Sequence, residues 1–182
     1  MKVNRVSEID GIRITEAMSV TDVRGTFVKF QPLKDFESPL DSVALSINPN
    51  LGTVRGMHFQ IEPFAEEKLV TCIQGSIFDV IVDLRPNSRT FGKWASFELT
   101  AANALQAYLP KGIAHGYQTL MPNSIIHYSL SATYAPEYSY AIDPFGDLGI
   151  EWPIKIHLVS ERDASGISLF SAGQKYAESL KI

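Results

Sequence analysis

The sequence contains a single cysteine, Cys72, so it cannot form an internal disulfide. The apolar flank of that residue, Leu69-Val70-Thr71-Cys72-Ile73, predicts a buried structural thiol. No apolar run approaches the roughly 18 residues that mark a membrane-spanning helix. The first residues, Met1-Lys2-Val3-Asn4-Arg5, carry no signal-peptide core. A cytoplasmic protein with no membrane partner is expected. Basic charge is not in excess either: 16 basic against 20 acidic side chains give a net charge of −4. That balance argues against nucleic acid as a partner, because phosphate backbones call for a basic face. Helical periodicity is nearly missing, with helix expected only over residues 169–181 and in a turn around Lys34. Repeats, low-complexity tracts and linkers are absent, so residues 1–182 are expected to form one domain with a sizeable core.

Short strands punctuated by turns fill the rest. Strand-like runs fall at residues 12–14, 26–31, 43–47, 53–59, 68–73, 76–84, 94–99, 105–109, 116–120 and 125–130. Turn chemistry separates them: Pro49-Asn50, Gln74-Gly75, Pro86-Asn87, Pro110-Lys111-Gly112 and Pro122-Asn123. Gln74-Gly75, between two apolar runs, predicts a tight hairpin. Many short strands without intervening helices predict an all-β sandwich or barrel. In the run 76–84, Phe78, Val80, Val82 and Leu84 form one apolar stripe, and Asp79 and Asp83 share the other face with Ile77 and Ile81. Acids on a strand face are ordinarily solvated, unless that face lines a pocket, where Asp79 becomes an orienting group.

Chemistry concentrates around His58. Arg55 precedes it by three residues and Lys68 follows by ten, which suits proton transfer on an anionic substrate. Metal-binding cupins, which are double-stranded β-helix barrels, carry His-x-His followed by a carboxylate, then Pro-x-Gly-x-x-His. The second half is present as Pro110-Lys111-Gly112-Ile113-Ala114-His115. The first half is broken, because Gln60 stands where the second histidine belongs. The expected shell is therefore not that of a metal. A histidine base then needs an acceptor on its other nitrogen, a cation where enolate charge develops, and an acid on the opposite face. Lys68 is the cation, Tyr117, Tyr128 and Tyr134 are candidate acids, and Asp163 is a distant carboxylate. Spacing alone does not choose among them. Arg55 and His58 face opposite sides of a regular strand, so a bulge at Gly56 is expected if both serve one pocket. His127 and His157 are read as ordinary core histidines, and Trp94 and Trp152 as core aromatics.

An ordered string of motifs does choose. It begins Asp22-Val-Arg24-Gly25-Thr-Phe27, then Gly52-Thr-Val-Arg55-Gly56-Met-His58-Phe-Gln60 and Lys68-Leu-Val. It continues through Gly75-Ser-Ile-Phe-Asp79-Val-Ile-Val-Asp83-Leu-Arg85, Thr90-Phe91-Gly92-Lys93-Trp94 and Pro110-Lys-Gly112-Ile-Ala114-His115-Gly116. It ends with Tyr134-Ala-Pro136-Glu137, Gly149-Ile-Glu-Trp152-Pro153 and Ser160-Glu-Arg-Asp163. Together these closely resemble the dTDP-4-dehydrorhamnose 3,5-epimerase family. The resemblance implies an all-β, cupin-like jelly-roll barrel with a short C-terminal helical segment. It implies that His58 removes a proton alpha to the ketone of a nucleotide-diphosphate 4-keto sugar. Asp163 then pairs with His58, Lys68 stabilises the enolate oxygen, and Tyr128 returns a proton to the opposite face. Arg55, His115, Tyr134 and Gln60 are implied substrate contacts, with Asp79 orienting from behind. Arg24 and Phe27 belong to N-terminal strands, within about residues 1–50, that reach into the partner of a homodimer. No cofactor and no metal are implied.

Three places depart from the family pattern. Its Gln-x-Asn-x-Ser is aligned here with Val43, Leu45 and Ile47, an acid near the first motif is replaced by Lys29, and its tyrosine-lysine pair becomes Tyr128-Ser129. Lys29 does not accept a hydrogen bond from a base N–H as a carboxylate does. The alternatives are an epimerase of one centre on a non-thymidine nucleotide sugar, a ketoisomerase or metal-dependent oxygenase on the same barrel, and a non-catalytic sugar-nucleotide binder.

Overall fold

A computed structural model describes residues 3–6, 8–30 and 36–181; the turn expected around Lys34 lies outside them. Two antiparallel sheets face each other. The first has six strands in the order β1 (Val3–Val6), β2 (Arg13–Glu16), β10 (Leu105–Leu109), β7 (Lys68–Gln74), β12 (Ser124–Leu130) and β5 (Ser42–Asn48). The second has five, in the order β13 (Ser139–Ala141), β6 (Val54–Gln60), β11 (Ile113–Thr119), β8 (Ser76–Asp83) and β9 (Trp94–Thr100). From β5 onward the chain crosses repeatedly between the sheets, and only β8 and β9 follow one another within a sheet. This is the wrapped topology of a jelly-roll barrel. A separate hairpin, β3 (Met18–Asp22) with β4 (Gly25–Lys29), stands apart, and its strands are almost wholly exposed.

The hairpin expected at Gln74-Gly75 is instead a corner between sheets. β7 bonds to β10 and β12, whereas β8 bonds to β11 and β9. Gly75 has φ +78°, and a side chain there would run into Ser124. The glycine therefore serves a crossover rather than a two-residue loop.

The main core fills the space between the sheets, with Ile14, Val70, Cys72, Ile81, Leu99 and Ile126 all buried. Removing such side chains from water is the largest favourable contribution to folding. The outer face of the five-stranded sheet is also covered. Met57, Val80, Val82 and Leu84 pack against Ala172 and Tyr176 of the C-terminal helix α2 (Leu169–Ser179), which starts where Ser168 accepts the Ser171 N–H. Both faces of β8 are thus buried. The choice left open for its acids is thereby decided, since Asp79 and Asp83 are each 0% exposed. Asp83 accepts hydrogen bonds from Arg85, Ser88 and Thr90. Burial pushes its carboxyl up, but these donors outweigh burial and hold it below the usual range.

Candidate active site

A cavity of about 660 Å³ opens at one end of the barrel, beside the edge strand β5. His58 on β6 and His115 on β11 sit directly opposite each other across the strand pair. Each imidazole has its own carboxylate. His58 Nε2 lies 2.7 Å from Asp163 Oδ1, and His115 Nε2 lies 2.7 Å from Asp79 Oδ1. Among the described residues, no three His, Cys, Asp or Glu side chains converge as a metal shell.

Asp163 reaches the site from α1 (Glu161–Ala164), a single turn of helix. Ser160 caps that turn by accepting the Asp163 N–H at 3.1 Å. The second carboxylate oxygen of Asp163 accepts the Gly56 N–H at 3.0 Å. Burial raises the carboxyl, but the bonds from His58, Gly56 and Ser160 together with the charge of His58 prevail, so it stays ionised below the usual carboxylate range. An ionised acceptor at Nε2 fixes the tautomer in which Nε2 carries the hydrogen and Nδ1 the lone pair. Nδ1 is therefore the basic atom.

The β6–β11 register contains the bulge expected at Gly56. His58 pairs with His115 and Arg55 with Tyr117, so β6 carries one more residue than β11 across this stretch. Arg55 and His58 consequently both line the cavity. Gly56 has φ +111°, and an added Cβ would lie 2.5 Å from Gly116 Cα and 2.6 Å from the His115 carbonyl. Gly56→Ala is expected to destabilise the fold by about 3 kcal/mol, from left-handed backbone strain plus overpacking. In a chain of this size that corresponds to a Tm lower by roughly 6–12 °C in a melting experiment.

Lys68, buried on β7, places its ammonium 3.0 Å from Glu66 Oε1 at the cavity wall. Tyr128 enters from β12, with its ring edge-on to His115 at 6.0 Å. Burial pushes its phenol well above the ordinary value, Tyr117 and the negative charge of Asp79 push it further, and Arg55 pulls it back. The phenol is therefore protonated and available as an acid.

Other candidates are placed differently. The Gln60 side-chain amide donates to the carbonyls of Phe64 and Thr133 and accepts the Ala135 N–H. It holds the loop that carries Tyr134 and also lines the cavity. Tyr134 is 60% exposed at the cavity mouth, where its hydroxyl bonds Arg162 at 3.2 Å. Arg162 also donates to Ser139 Oγ at 3.0 Å. Arg162 was not singled out from the sequence, although its place beside Asp163 on one helical turn carried the signal. Arg24 and Phe27 lie on the exposed β3–β4 hairpin, away from this cavity, with Arg24 bonded to Asp22. Within one chain they do not join His58.

The row aligned with the family's polar triplet is apolar here. Val43, Leu45 and Ile47 are 58%, 57% and 66% exposed and line the cavity. Ser46 and Asn48 point the other way, and both bond the Tyr117 hydroxyl inside the barrel. Ser46 lines the same cavity from the alternate face of the strand.

The sequence profile of dTDP-4-dehydrorhamnose 3,5-epimerase matches residues 6–170. The chain belongs to this family. A dTDP-4-dehydrorhamnose 3,5-epimerase of Sinorhizobium fredii is 40% identical over 167 residues, which are 87% of this chain and 85% of that one. The crystal structure of the Bacillus anthracis dTDP-4-dehydrorhamnose 3,5-epimerase with TDP and PPi bound is 32% identical. It superposes with a TM-score of 0.87, covering 92% of this chain and 98% of that one. A dTDP-4-dehydrorhamnose 3-epimerase of Streptomyces niveus is 32% identical over 170 residues, or 90% of this chain and 82% of that one. As a member of the dTDP-4-dehydrorhamnose 3,5-epimerase family the chain is an isomerase, and its barrel is the cupin-like fold of its structural relatives. No helix of the described residues is long and apolar enough to cross a membrane.

Proposed function

We propose that the chain inverts carbon 3, carbon 5 or both in a nucleotide-linked 4-keto-6-deoxy sugar, as a step of deoxysugar biosynthesis. The observation that carries this reading is one cavity holding a carboxylate-anchored histidine, a buried lysine and a half-buried, protonated tyrosine. His58 Nδ1 takes the proton alpha to the ketone. The electrons move onto the ketone oxygen, where the Lys68 ammonium stabilises the developing charge in a water-poor site. Asp163 stabilises the imidazolium formed at His58. Tyr128 delivers its proton to the opposite face of the same carbon and inverts it. The substrate's own ketone acidifies both neighbouring positions, so these side chains are sufficient for the chemistry without a cofactor.

Arg55, Arg162 and His115 suit the diphosphate and sugar. The exposed β3–β4 hairpin, with Val20 59% and Phe27 69% exposed, fits an arm that enters the pocket of a second copy. On this reading the protein is a homodimer with exchanged N-terminal strands, one domain per chain, working in the cytoplasm. The bound TDP of the Bacillus anthracis relative favours a thymidine nucleotide, while Lys29 does not supply the carboxylate expected for a thymine N–H.

The test is solvent deuterium exchange followed by NMR on a panel of nucleotide 4-keto-6-deoxy sugars that differ in the base. Deuterium at both carbons with inversion at both identifies a double epimerase. Deuterium at carbon 3 alone identifies the narrower activity named for the Streptomyces niveus relative. No exchange with any member of the panel defeats the proposal.

A further inference from the structure

The cavity contains a second phenol that the mechanism above does not use. Tyr117 on β11 is 2% exposed, and its hydroxyl lies 2.7 Å from Ser46 Oγ and donates to Asn48 Oδ1 at 3.2 Å. Asn48 is itself fixed, because its amide donates to the carbonyls of Ser46 and Ser124 on two neighbouring strands. Tyr117 and Tyr128 flank the same imidazole, with ring centroids 6.3 Å and 6.0 Å from that of His115. Both residues line the cavity. A buried phenol held by two side chains of β5 is otherwise an expensive way to fill a barrel, since a phenylalanine carries the same apolar surface without a hydroxyl to satisfy.

We infer that Tyr117 is a positioning residue for Tyr128: it aims the Tyr128 hydroxyl and donates a hydrogen bond to the phenolate left once Tyr128 has given its proton away. This rests on the epimerase reading. The Tyr117 oxygen has one hydrogen and two lone pairs. At rest its hydrogen goes to Asn48 and one lone pair accepts from Ser46, which leaves the second lone pair uncommitted. When the O–H bond of Tyr128 breaks and the new C–H bond forms, negative charge appears on the Tyr128 oxygen. The Tyr117 hydrogen then turns from Asn48 to that oxygen, without leaving Tyr117. Tyr128 recovers its proton from solvent as product leaves, and the proton taken by His58 is released to solvent. No other group is consumed.

The consequence separates two rates. Proton removal by His58 and its exchange with solvent do not involve Tyr128, whereas inversion does. In Tyr117→Phe, inversion is expected to fall about tenfold or more, the range of a hydrogen bond to a charged oxygen. Deuterium incorporation into the original configuration and KM are each expected to stay within about twofold, the span left for a group outside the proton-removal step. The ratio of inversion to exchange is the readout, because loss of fold lowers both rates together. Ser46→Ala removes the 2.7 Å anchor and is expected to lower the same ratio by a smaller factor. It serves as the test if Tyr117→Phe does not fold. An unchanged ratio in the folded variant, or an equal fall of both rates, overturns the inference. If the unaltered protein neither exchanges nor inverts any substrate, the epimerase reading fails as well, so the two failures are distinguishable.

Discussion

His58→Ala is expected to abolish deuterium incorporation at every sugar carbon, lowering the rate by about a thousandfold, within the usual contribution of a general base. Substrate or product-analogue binding, measured by calorimetry, is expected to stay within about threefold, because the base contributes mainly in the transition state. The physical reason is the dyad geometry. With Nε2 bonded to Asp163 at 2.7 Å, Nδ1 is the basic atom the dyad offers to the cavity. Its loss leaves the cations in place. The side chain of His58 is 36% exposed, so removing it opens little new void. The Asp163 carboxylate does lose its imidazole but keeps the Gly56 N–H, and the Ser160 cap still holds the backbone N–H of Asp163. Exchange that persists at an appreciable rate in His58→Ala assigns the base elsewhere, and His115 with its own carboxylate becomes the candidate.

The strands from β5 to β12 were readable because alternation and turn residues agree there. Ser42–Asn48 and Trp94–Thr100 fall within a residue or two of expectation. β1 and β13 escaped because each is only three or four residues long, too short to establish a period. β3 escaped because its strand pairs only with β4 and buries no face. What the sequence does not encode locally is which sheet receives the next strand. Gln74-Gly75 looks the same for a hairpin and for a corner, and the choice lies with the partners of β7 and β8, residues far along the chain.

The site shows the same division. His58, Lys68 and His115 stand out by local spacing. Asp163 meets His58 across 105 positions, and only the resemblance to a family pointed to it. A local signal was nonetheless present, since Ser160-Glu-Arg-Asp163 is a helix-capping pattern and predicts the turn that aims the carboxylate. On β5 two rows meet at the site: Val43, Leu45 and Ile47 line the cavity without polar groups, while Ser46, which also lines it, and Asn48 bond Tyr117. Asp79 was open between solvent and pocket, and was decided by the burial of both faces of β8.

Tyr128→Phe is expected to separate the two halves of the reaction. Inversion should fall by about a hundredfold or more, the contribution of a positioned general acid. Exchange with retention at the same carbon should fall by less than about fivefold, since it needs only the histidine base. The fold should be unaffected, because the phenylalanine ring keeps the edge-on contact with His115. The high affinity of this phenol for its proton explains why the step depends on its surroundings. Burial and the nearby negative charge of Asp79 make the Tyr128 phenolate costly, and Arg55 is the charge that offsets them. An acid this weak transfers its proton effectively only to a strongly basic carbon, which the enolate provides while Lys68 holds its oxygen. Weakening Arg55 should therefore slow proton return, whereas weakening Lys68 should slow proton removal. Removing the Tyr128 hydroxyl should slow return alone. The measurement is a single NMR time course in deuterium oxide that follows the labelled original epimer and the labelled inverted epimer together. Equal loss of both signals in Tyr128→Phe contradicts its assignment as the acid. Loss of inversion alone places the two proton-transfer groups on opposite faces of one enolate.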